Sequence, residues 1–376
     1  MSFTNRGTSI DLVATITTDL GDSFLVPDES LELVVCLFTS SPRQRPDPDV
    51  KMHVRWNPGM RVLKTSIPVS RTDLKLLYVG PLDQKLSASR LSRLSNTACG
   101  GERGLILPAW ADITPVNGTP SDVSLRRLQL NDEVFLELEE EIGESIARHI
   151  WDAGLASVAF VAHLRPPSEV DIKTDNANMT ALREMLSCDR PIHILELGCG
   201  VGILGLGLAA ILSSGRDYSA SREVALLMTD LPEAEGRARC NIGRLETLQA
   251  SSTSHVKVVY ENLDWDLCRE GKAGSKVLAC PWELVVLSDC TYNVDMLPAL
   301  VDTLSQIHSL SKARCEPGDL HTTRVFLATK PRHPSEDALF DLMAGQGWSI
   351  VCHETMEMPV LYEEASRVDL YLFEKV

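Results

Sequence analysis

The feature that most constrains this chain is a strict alternation of strand-like and helix-like segments over its C-terminal half. Short apolar runs alternate with longer stretches in which apolar residues recur at helical spacing. The predicted strands span 192–197, 224–229, 256–260, 283–288, 324–329, 348–352 and 368–374. The predicted helices span 202–212, 233–248, 294–310 and 335–346. Such alternation predicts a parallel sheet that is covered by helices on both faces.

The end of this series differs from the rest. No helix-like stretch separates the last two predicted strands, so the final strand is expected to return antiparallel. The sequence therefore predicts an α/β fold with a Rossmann-like sheet of seven strands, mostly parallel with an antiparallel last strand. We assign this sheet to a domain of residues 126–376, which also contains a predicted strand at 134–138 and a predicted helix over 143–164.

The first 125 residues have a different pattern. Strand-like runs at 31–38, 52–56 and 60–67 are separated by loops, and 74–118 shows no firm periodicity. Seven strands already complete the predicted sheet, so these runs are not needed in it. We therefore predict that residues 1–125 form an N-terminal accessory region, β-rich and partly irregular.

Charge and apolar pattern limit the partners and the compartment. A net charge of −16 disfavours nonspecific binding to nucleic acids but is compatible with a basic substrate. Because there is no run of 18 apolar residues and no secretory-type N-terminus, we expect a cytoplasmic or nuclear protein without a membrane span. The ten cysteines form no C-x-x-C pair, so we expect buried thiols and no metal site.

The densest motif is a glycine-rich turn, ELGCGVGILG, between the first predicted strand of the sheet and the next helix. Glycine permits positive φ and close approach of a ligand to the backbone. The frame that starts at Gly200 matches the dinucleotide fingerprint G-x-G-x-x-G. The frame that starts at Glu196 follows the strand directly, and a carboxylate there suits the positive amino and sulfonium groups of S-adenosylmethionine. Both cofactors remain possible on this motif alone.

An aspartate, Asp230, ends the second predicted strand of the sheet. An acid at this strand tip commonly binds ribose hydroxyls in either class of cofactor. The alternative is an N-cap of the following helix, which has Pro232 near its first position.

Four further segments accompany the glycine turn and the TDLP segment at 229–232. They are WDAG at 151–154, LDW at 263–265, SDCTY at 288–292, and KPRH at 330–333 followed by Glu336. In this order the six motifs resemble the seven-strand (class I) protein-lysine methyltransferases of methyltransferase family 16, over about residues 128–376. One position departs from the family pattern, because Asp266 follows Trp265 where glycine is usual.

The resemblance implies a role for each matching residue. Cofactor contacts fall to residues at the ends of the first four strands and in the predicted helix before the sheet: Trp151, Gly198, Cys199, Gly200, Asp230, Trp265 and Ser288. Asp289 and Tyr292 form a D-x-x-Y motif at the substrate entrance, where Asp289 would hold the incoming amine and Tyr292 would direct it. Each has a structural alternative, since either tryptophan could be a core aromatic and Asp289 a turn cap.

The implied activity is S-adenosylmethionine-dependent N-methylation of a lysine on a protein substrate, such as an elongation factor, a chaperone or a ribosomal protein. Methylation of a small molecule and a non-catalytic scaffold with the same fold are the alternatives. All six motifs lie after residue 150, so we expect the N-terminal region to select the partner without joining the catalytic machinery. Alternatively, it only covers an apolar flank of the domain.

Overall fold

The computed structural model describes residues 1–40, 47–71, 73–94, 105–113, 122–131, 134–141, 146–164, 179–214, 222–249, 255–315, 322–359 and 366–375. Within these ranges the strands form three sheets, of three, six and seven strands. Among the described residues, no helix has the length and apolar character needed to cross a membrane.

The two smaller sheets are antiparallel and belong to the N-terminal part. The strands are β1 (Ser2–Asn5), β2 (Ser9–Ala14), β3 (Leu31–Phe38), β4 (Val50–Trp56), β5 (Leu63–Pro68), β6 (Leu76–Pro81), β7 (Ala109–Asp112), β8 (Val123–Gln129) and β9 (Phe135–Glu141). The three-stranded sheet has the order β1-β2-β5, and the six-stranded sheet has the order β4-β3-β6-β7-β8-β9. β3 is buried along six consecutive residues because it lies between two strands with both faces covered.

The seven-stranded sheet confirms the predicted fold class. Its strands are β10 (Ile192–Leu197), β11 (Val224–Asp230), β12 (Val256–Asn262), β13 (Leu284–Ser288), β14 (Arg324–Thr329), β15 (Trp348–Met358) and β16 (Ser366–Lys375). The order is β12-β11-β10-β13-β14-β16-β15. The first five strands pair in parallel, whereas β16 runs antiparallel to both β14 and β15.

Seven α-helices accompany this sheet among the described residues. They are α1 (Asp152–Leu164), α2 (Thr180–Ser187), α3 (Ile203–Ser213), α4 (Pro232–Gln249), α5 (Trp265–Arg269), α6 (Leu297–Lys312) and α7 (Ala338–Gly345). α3 is buried at its first nine positions, which explains its nearly continuous apolar sequence. The predicted start of α1 at residue 143 was wrong, because the helix begins at Asp152.

The N-terminal part differs from its prediction in two respects. The region 74–118 was expected to be irregular, but its described residues contain β6 and β7. The six-stranded sheet also continues through β8 and β9 to Glu141, so the β-rich part extends past the predicted boundary at 125 and 126. Whether the two parts are separate domains stays a prediction.

The β-rich part is firmly packed on the seven-stranded sheet. Leu128 and Leu138 share one hydrophobic cluster with α1, α3 and β10. The Asn241 side chain on α4 accepts a hydrogen bond from the Glu139 N–H at 2.7 Å and donates to the Val201 carbonyl at 2.9 Å. The Glu139 carboxylate pairs with arginines of α4. This packing brings the β-rich part to the edge of the sheet where the sequence motifs predict a site.

Candidate active site

The glycine-rich turn is a backbone loop between β10 and α3. Gly198, Gly200 and Gly202 have φ values of +63°, +53° and +89°, a region that other residues rarely adopt. The Cys199 N–H donates to the Thr229 carbonyl at 3.0 Å, and the Gly202 N–H donates to the Cys199 carbonyl at 2.7 Å. The loop is therefore held to β11 by its own main chain.

The loop has almost no room for side chains. A Cβ on Gly198 would lie 2.5 Å from the Cys290 Sγ, and one on Gly202 would lie 2.3 Å from the Met228 Cε. A Cβ on Gly200 would lie 3.2 Å from the Ala147 carbonyl oxygen. The three glycines are therefore required by close packing, and they lead directly into the N-terminus of α3, where main-chain N–H groups can meet a ligand.

The Asp230 carboxylate, at the end of β11, is hydrogen-bonded to this loop. Oδ2 accepts the Gly200 N–H at 2.7 Å, and Oδ1 accepts the Leu231 N–H at 2.7 Å. Burial raises the pKa of Asp230. The carboxylate thus joins the second strand tip to the glycine turn, and a contact with ribose hydroxyls stays a prediction.

Glu196 is the next-to-last residue of β10, but its side chain packs against α3 and not toward the place where the charge argument expected the cofactor. Its side chain is 1% exposed and faces α3, where Oε1 accepts the Gly205 N–H at 3.2 Å. Burial raises the pKa of Glu196 to about 8, so the carboxyl is mainly neutral at pH 7. Oε2 is buried and has no hydrogen-bond partner among the described residues. Because the carboxyl is mainly neutral and faces α3, it does not supply the negative charge that the sequence argument assigned to it, and its contact with the cofactor stays a prediction.

The side chains of Trp265 and Cys290 lie next to Gly198. The Trp265 ring lies 3.6 Å from the position of a Gly198 Cβ, so the predicted adenine neighbour is adjacent to the loop. Asp266 fits the first turn of α5, because the Asp264 side chain accepts its N–H at 2.9 Å. Sequence reasoning missed Cys290, whose buried thiol lies 3.4 Å from the Leu197 carbonyl.

Cys199 and Ser288 were also predicted to contact the cofactor. The Cys199 side chain is buried, so only its main chain is available to a ligand. The Ser288 Oγ lies 3.3 Å from the position of a Gly154 Cβ and therefore faces α1. Their roles in cofactor binding stay predictions.

Asp289 occupies an unusual backbone conformation directly after β13. Its φ of +50° is the one positive value at a non-glycine position within the described ranges. Oδ2 accepts the Ala153 N–H at 2.9 Å, at the N-terminus of α1, and Oδ1 accepts the Lys330 N–H at 3.1 Å. Burial raises the pKa of Asp289 to about 6, although the Arg332 guanidinium lowers it. Asp289 therefore caps the N-terminus of α1, which was one of the alternatives for its role. Tyr292, three residues further along the chain, is 52% exposed.

Around Asp289 the structure assembles a charged cluster, which we call the acidic mouth. It consists of the carboxylates and cations of Asp19, Asp152, Asp289, Lys330 and Arg332. Lys330 Nζ lies 2.6 Å from Asp152 Oδ2, and the Arg332 guanidinium lies 5.0 Å from the centroid of the Trp151 ring. Trp151 therefore lies at the mouth, directly before α1, and its contact with the cofactor stays a prediction.

Asp19 is the unexpected member of the acidic mouth. It comes from the loop between β2 and β3, and its side chain is 3% exposed. Its carboxylate contacts Arg332 at 2.7 Å and Lys330 at 3.2 Å. No motif marks Asp19 in the sequence, and the N-terminal region was predicted to lie outside the catalytic machinery. The structure instead places one of its carboxylates in the mouth.

A cavity of about 960 Å³ opens between the N-terminal sheets and the seven-stranded sheet. The acidic mouth, Trp151 and Tyr292 line one wall, and apolar residues such as Leu33 and Trp56 line another. Its size is that of sites that hold an organic ligand or a side chain. Among the described residues there is no group of three or more His, Cys, Asp or Glu side chains that could hold a metal ion.

The predicted site residues therefore fall into two neighbouring groups. The glycine loop brings together the residues assigned to the cofactor at the ends of β10 and β11, with Trp265 beside them. The acidic mouth collects the residues assigned to the substrate, with Trp151 next to Arg332. Gly198 directly follows β10 and Asp289 directly follows β13, and these two strands are neighbours that run in parallel, so both groups lie at the same edge of the sheet.

Comparison with known proteins identifies the family of the chain. The profile of methyltransferase family 16, described as "Lysine methyltransferase", matches residues 130–346, which is more than half of the chain. A UPF0665 family protein of Schizosaccharomyces pombe is 23% identical over 276 residues. That match covers 72% of this chain, and the chain spans 66% of the length of the yeast relative.

Solved structures of methyltransferases are similar to parts of the chain at low scores. One is an S-adenosylmethionine-dependent methyltransferase from Methanosarcina mazei, 13% identical, which covers 50% of this chain and 95% of its own with a TM-score of 0.32. Another is TYW2 from M. jannaschii in complex with AdoMet, 11% identical, covering 67% and 87% with a TM-score of 0.32. Likenesses at this level say nothing about substrate or partner. With the family profile spanning more than half of the residues, the chain belongs to methyltransferase family 16.

Proposed function

We propose that this protein methylates the side-chain nitrogen of a lysine on a protein substrate, with S-adenosylmethionine as the methyl donor. The observation that carries the proposal is the acidic mouth beside the D-x-x-Y motif. Three carboxylates there face two cations, which leaves an excess of negative charge when Asp289 is ionised. The description of the family supports the same substrate class.

The chemistry of the mouth suits a lysine better than a neutral or anionic group. A lysine side chain has an apolar stem and a compact charged head. The cavity offers apolar walls for the stem, while the carboxylates attract the ammonium group. Trp151 and Tyr292 add aromatic rings at the same wall, and such rings attract cations. A phosphate-bearing substrate would meet repulsion here, as it would over a surface of net charge −16.

The residues of the chain would divide the work as follows. When bound, S-adenosylmethionine supplies an electrophilic methyl group on a sulfonium. The glycine loop would hold the cofactor by main-chain contact, with Asp230 bonded to the loop. Asp289 would accept a hydrogen bond from the substrate amine and orient its lone pair, and Tyr292 would limit its direction of approach.

The amine must lose a proton before it can react. The carboxylates of the mouth raise the pKa of a bound ammonium, whereas the apolar walls lower it. We assign proton acceptance to water, because Asp289 already accepts two main-chain N–H groups with its two oxygens. The task of Asp289 is therefore to position the amine, and its ionised form, above about pH 6, is the active one.

Tritiated S-adenosylmethionine incubated with the protein and a cell extract tests the proposal. Protein-bound and small-molecule label are separated, and labelled proteins are analysed for methyl-lysine by mass spectrometry. We expect label on lysine with the wild type and a loss of most of it with Asp289→Asn. Label confined to small molecules would replace the proposal with small-molecule methylation, and no label anywhere would favour a scaffold.

The identity of the partner is a separate proposal. The resemblance to family 16 suggests an elongation factor, a chaperone or a ribosomal protein, in the cytoplasm or the nucleus. The same extract experiment, performed on separated cytoplasmic and nuclear fractions, identifies the labelled protein directly.

A further inference from the structure

Asp19 is presented to the acidic mouth by a well-formed turn of the N-terminal region. The Gly21 N–H donates to the Thr18 carbonyl at 3.0 Å, and Gly21 has a φ of +73°. Thr18 also donates its hydroxyl to the Asp22 carboxylate at 2.7 Å. Because the turn fixes the backbone on both sides of Asp19, its buried carboxylate has a defined place in the mouth.

The carboxylate of Asp19 connects the N-terminus of α1 with the segment that follows β14. It accepts the Asp152 N–H at 3.2 Å at the N-terminus of α1, where an anion is stabilised by the helix dipole. It also contacts Lys330 and both terminal nitrogens of Arg332. Burial pushes the pKa of Asp19 up, but the Arg332 and Lys330 charges hold it below its usual value. Asp19 is therefore ionised at neutral pH.

Arg332 lies within reach of two carboxylates. Its guanidinium is 2.7 Å from Asp19 Oδ2 and 3.7 Å from Asp289 Oδ2. Its backbone is fixed, since the Arg332 N–H donates to Glu336 Oε1 at 3.2 Å, and Glu336 also binds Thr291 at 2.9 Å. Without Asp19, the guanidinium would have Asp289 as its nearest acid, and arginine–carboxylate pairs at hydrogen-bond distance are strong.

We propose that Asp19 is a positioning residue for methyl transfer, which engages Arg332 and Lys330 and so keeps Asp289 available to the substrate amine. This inference rests on the proposed function for the identity of that amine. It gives the N-terminal region a part in the chemistry of the site in addition to any role in choosing a partner.

The charge of Asp289 depends on every group that faces it. The titratable and charged neighbours come from four parts of the chain: Asp19, Asp152, Cys290, Tyr292, Lys330 and Arg332. Asp19 raises the pKa of Asp289, and Arg332 lowers it. Removal of the Asp19 charge takes away a repulsion and releases the guanidinium, and both changes lower the pKa of Asp289.

The substitution Asp19→Asn tests the proposal, because it removes the charge and preserves the size. We expect kcat/KM for methyl transfer to fall on the order of 10- to 100-fold, the scale of a displaced reacting group. The acid limb of the pH–rate profile should move to lower pH, while the dissociation constant of S-adenosylmethionine changes less than about twofold. Asp28→Asn, an exposed change in the same loop between β2 and β3 but outside the turn, is the matched control with wild-type activity.

Two further measurements separate positioning from folding. In the double variant Asp19→Asn with Arg332→Gln, no guanidinium remains to occupy Asp289, so turnover should recover by several-fold over Asp19→Asn. The carboxyl ¹³C signal of Asp289, assigned by its loss in Asp289→Asn, reports its pKa without any substrate. We expect this pKa to fall in Asp19→Asn and to rise in Arg332→Gln.

The outcomes distinguish this inference from the proposed function. If the Asp289 titration shifts as expected while no lysine is methylated, the positioning contact stands and the proposed function fails. An unchanged Asp289 titration in both variants overturns the inference, whatever the substrate is. So does a loss of activity in Asp19→Asn that is matched by equal losses of cofactor affinity and thermal stability and is not recovered in the double variant.

Discussion

The glycine loop and the acidic mouth lie at the same edge of one sheet but are built in different ways. The loop comes from consecutive residues between β10 and α3, and its main contact outside that segment is Asp230. The mouth joins side chains that are up to 313 positions apart in the chain, from Asp19 to Arg332. The loop is shaped by backbone geometry, whereas the mouth is shaped by charge.

This difference corresponds to two tasks. A cofactor common to many enzymes needs close approach to the backbone, and three glycines at alternate positions achieve that locally. A particular substrate needs a pattern of charge that only the assembled fold supplies, here with a carboxylate from the N-terminal region. Damage to the loop should therefore abolish cofactor binding, and damage to the mouth should reduce turnover while the cofactor still binds.

The largest expected effect comes from Gly200→Val. The residue has a φ of +53°, which a β-branched side chain strongly disfavours, and its Cβ would lie 3.2 Å from the Ala147 carbonyl. We expect the affinity for S-adenosylmethionine to fall at least about 100-fold, the effect of about 2.7 kcal/mol or more. Isothermal titration calorimetry measures it directly.

A matched control is available in α4. Gly243 has open space around its Cβ position, and Gly243→Ala should leave affinity unchanged and stabilise the helix by up to about 1 kcal/mol. Unchanged cofactor affinity in a folded Gly200→Val variant would show that the cofactor does not bind at this loop.

The next effect in size is expected at the mouth, from Asp289→Asn. The change removes the charge that holds an ammonium, so methyl transfer should fall on the order of 10- to 1000-fold. Cofactor affinity should change much less. Since the pKa of Asp289 is raised to about 6, the wild-type rate should decline as the pH falls through about 6, and a pH–rate profile shows this.

Thermal unfolding of Asp289→Asn controls for its structural role, because an amide can accept only one of the two N–H groups that Asp289 now accepts. Full turnover in this variant would make Asp289 a structural cap. The substrate role would then pass to Tyr292 and Arg332.

The last expected effect is on stability and not on binding or turnover, from Glu196→Gln. Burial raises the pKa of Glu196 to about 8, so the folded chain binds more protons than the unfolded chain between about pH 4.5 and pH 8. Stability of the cofactor-free wild type should therefore fall across this window relative to the variant. Scanning calorimetry at pH 5 and pH 8 compares the two proteins, and identical pH dependence in both would refute the raised pKa.

Sequence reasoning was most successful where short-range pattern determines structure. The bounds of β10 and β14 agree with their predictions, because both are short, mainly apolar segments that end at clear turn signals. It failed for β1, β2, β6 and β7, which are short or of mixed polarity and are stabilised by pairing with strands elsewhere in the chain. The start of α1 was misplaced for a similar reason, since Asp19 and Asp289, both distant in sequence, bind its first N–H groups.

The same distinction holds for the site. Local pattern was enough to predict the glycine loop and an acid beside it at Asp230, whereas the place of Trp265 next to the loop was implied only by the family resemblance. The orientation of Glu196 toward α3 follows from which face of β10 is covered, which the motif does not encode. Asp19 could not be identified, because its partners Lys330 and Arg332 follow it by more than 300 positions.

Hydrogen–deuterium exchange with and without S-adenosylmethionine tests the division between loop and mouth most directly. The wild-type protein is used, and protection is compared among peptides that cover the loop and peptides that cover the mouth. We expect the strongest protection in 195–206 and 226–234, with weaker changes in 15–24, 286–292 and 328–334. Protection concentrated in the last three segments, with none in 195–206, would contradict the assignment of the cofactor to the glycine loop.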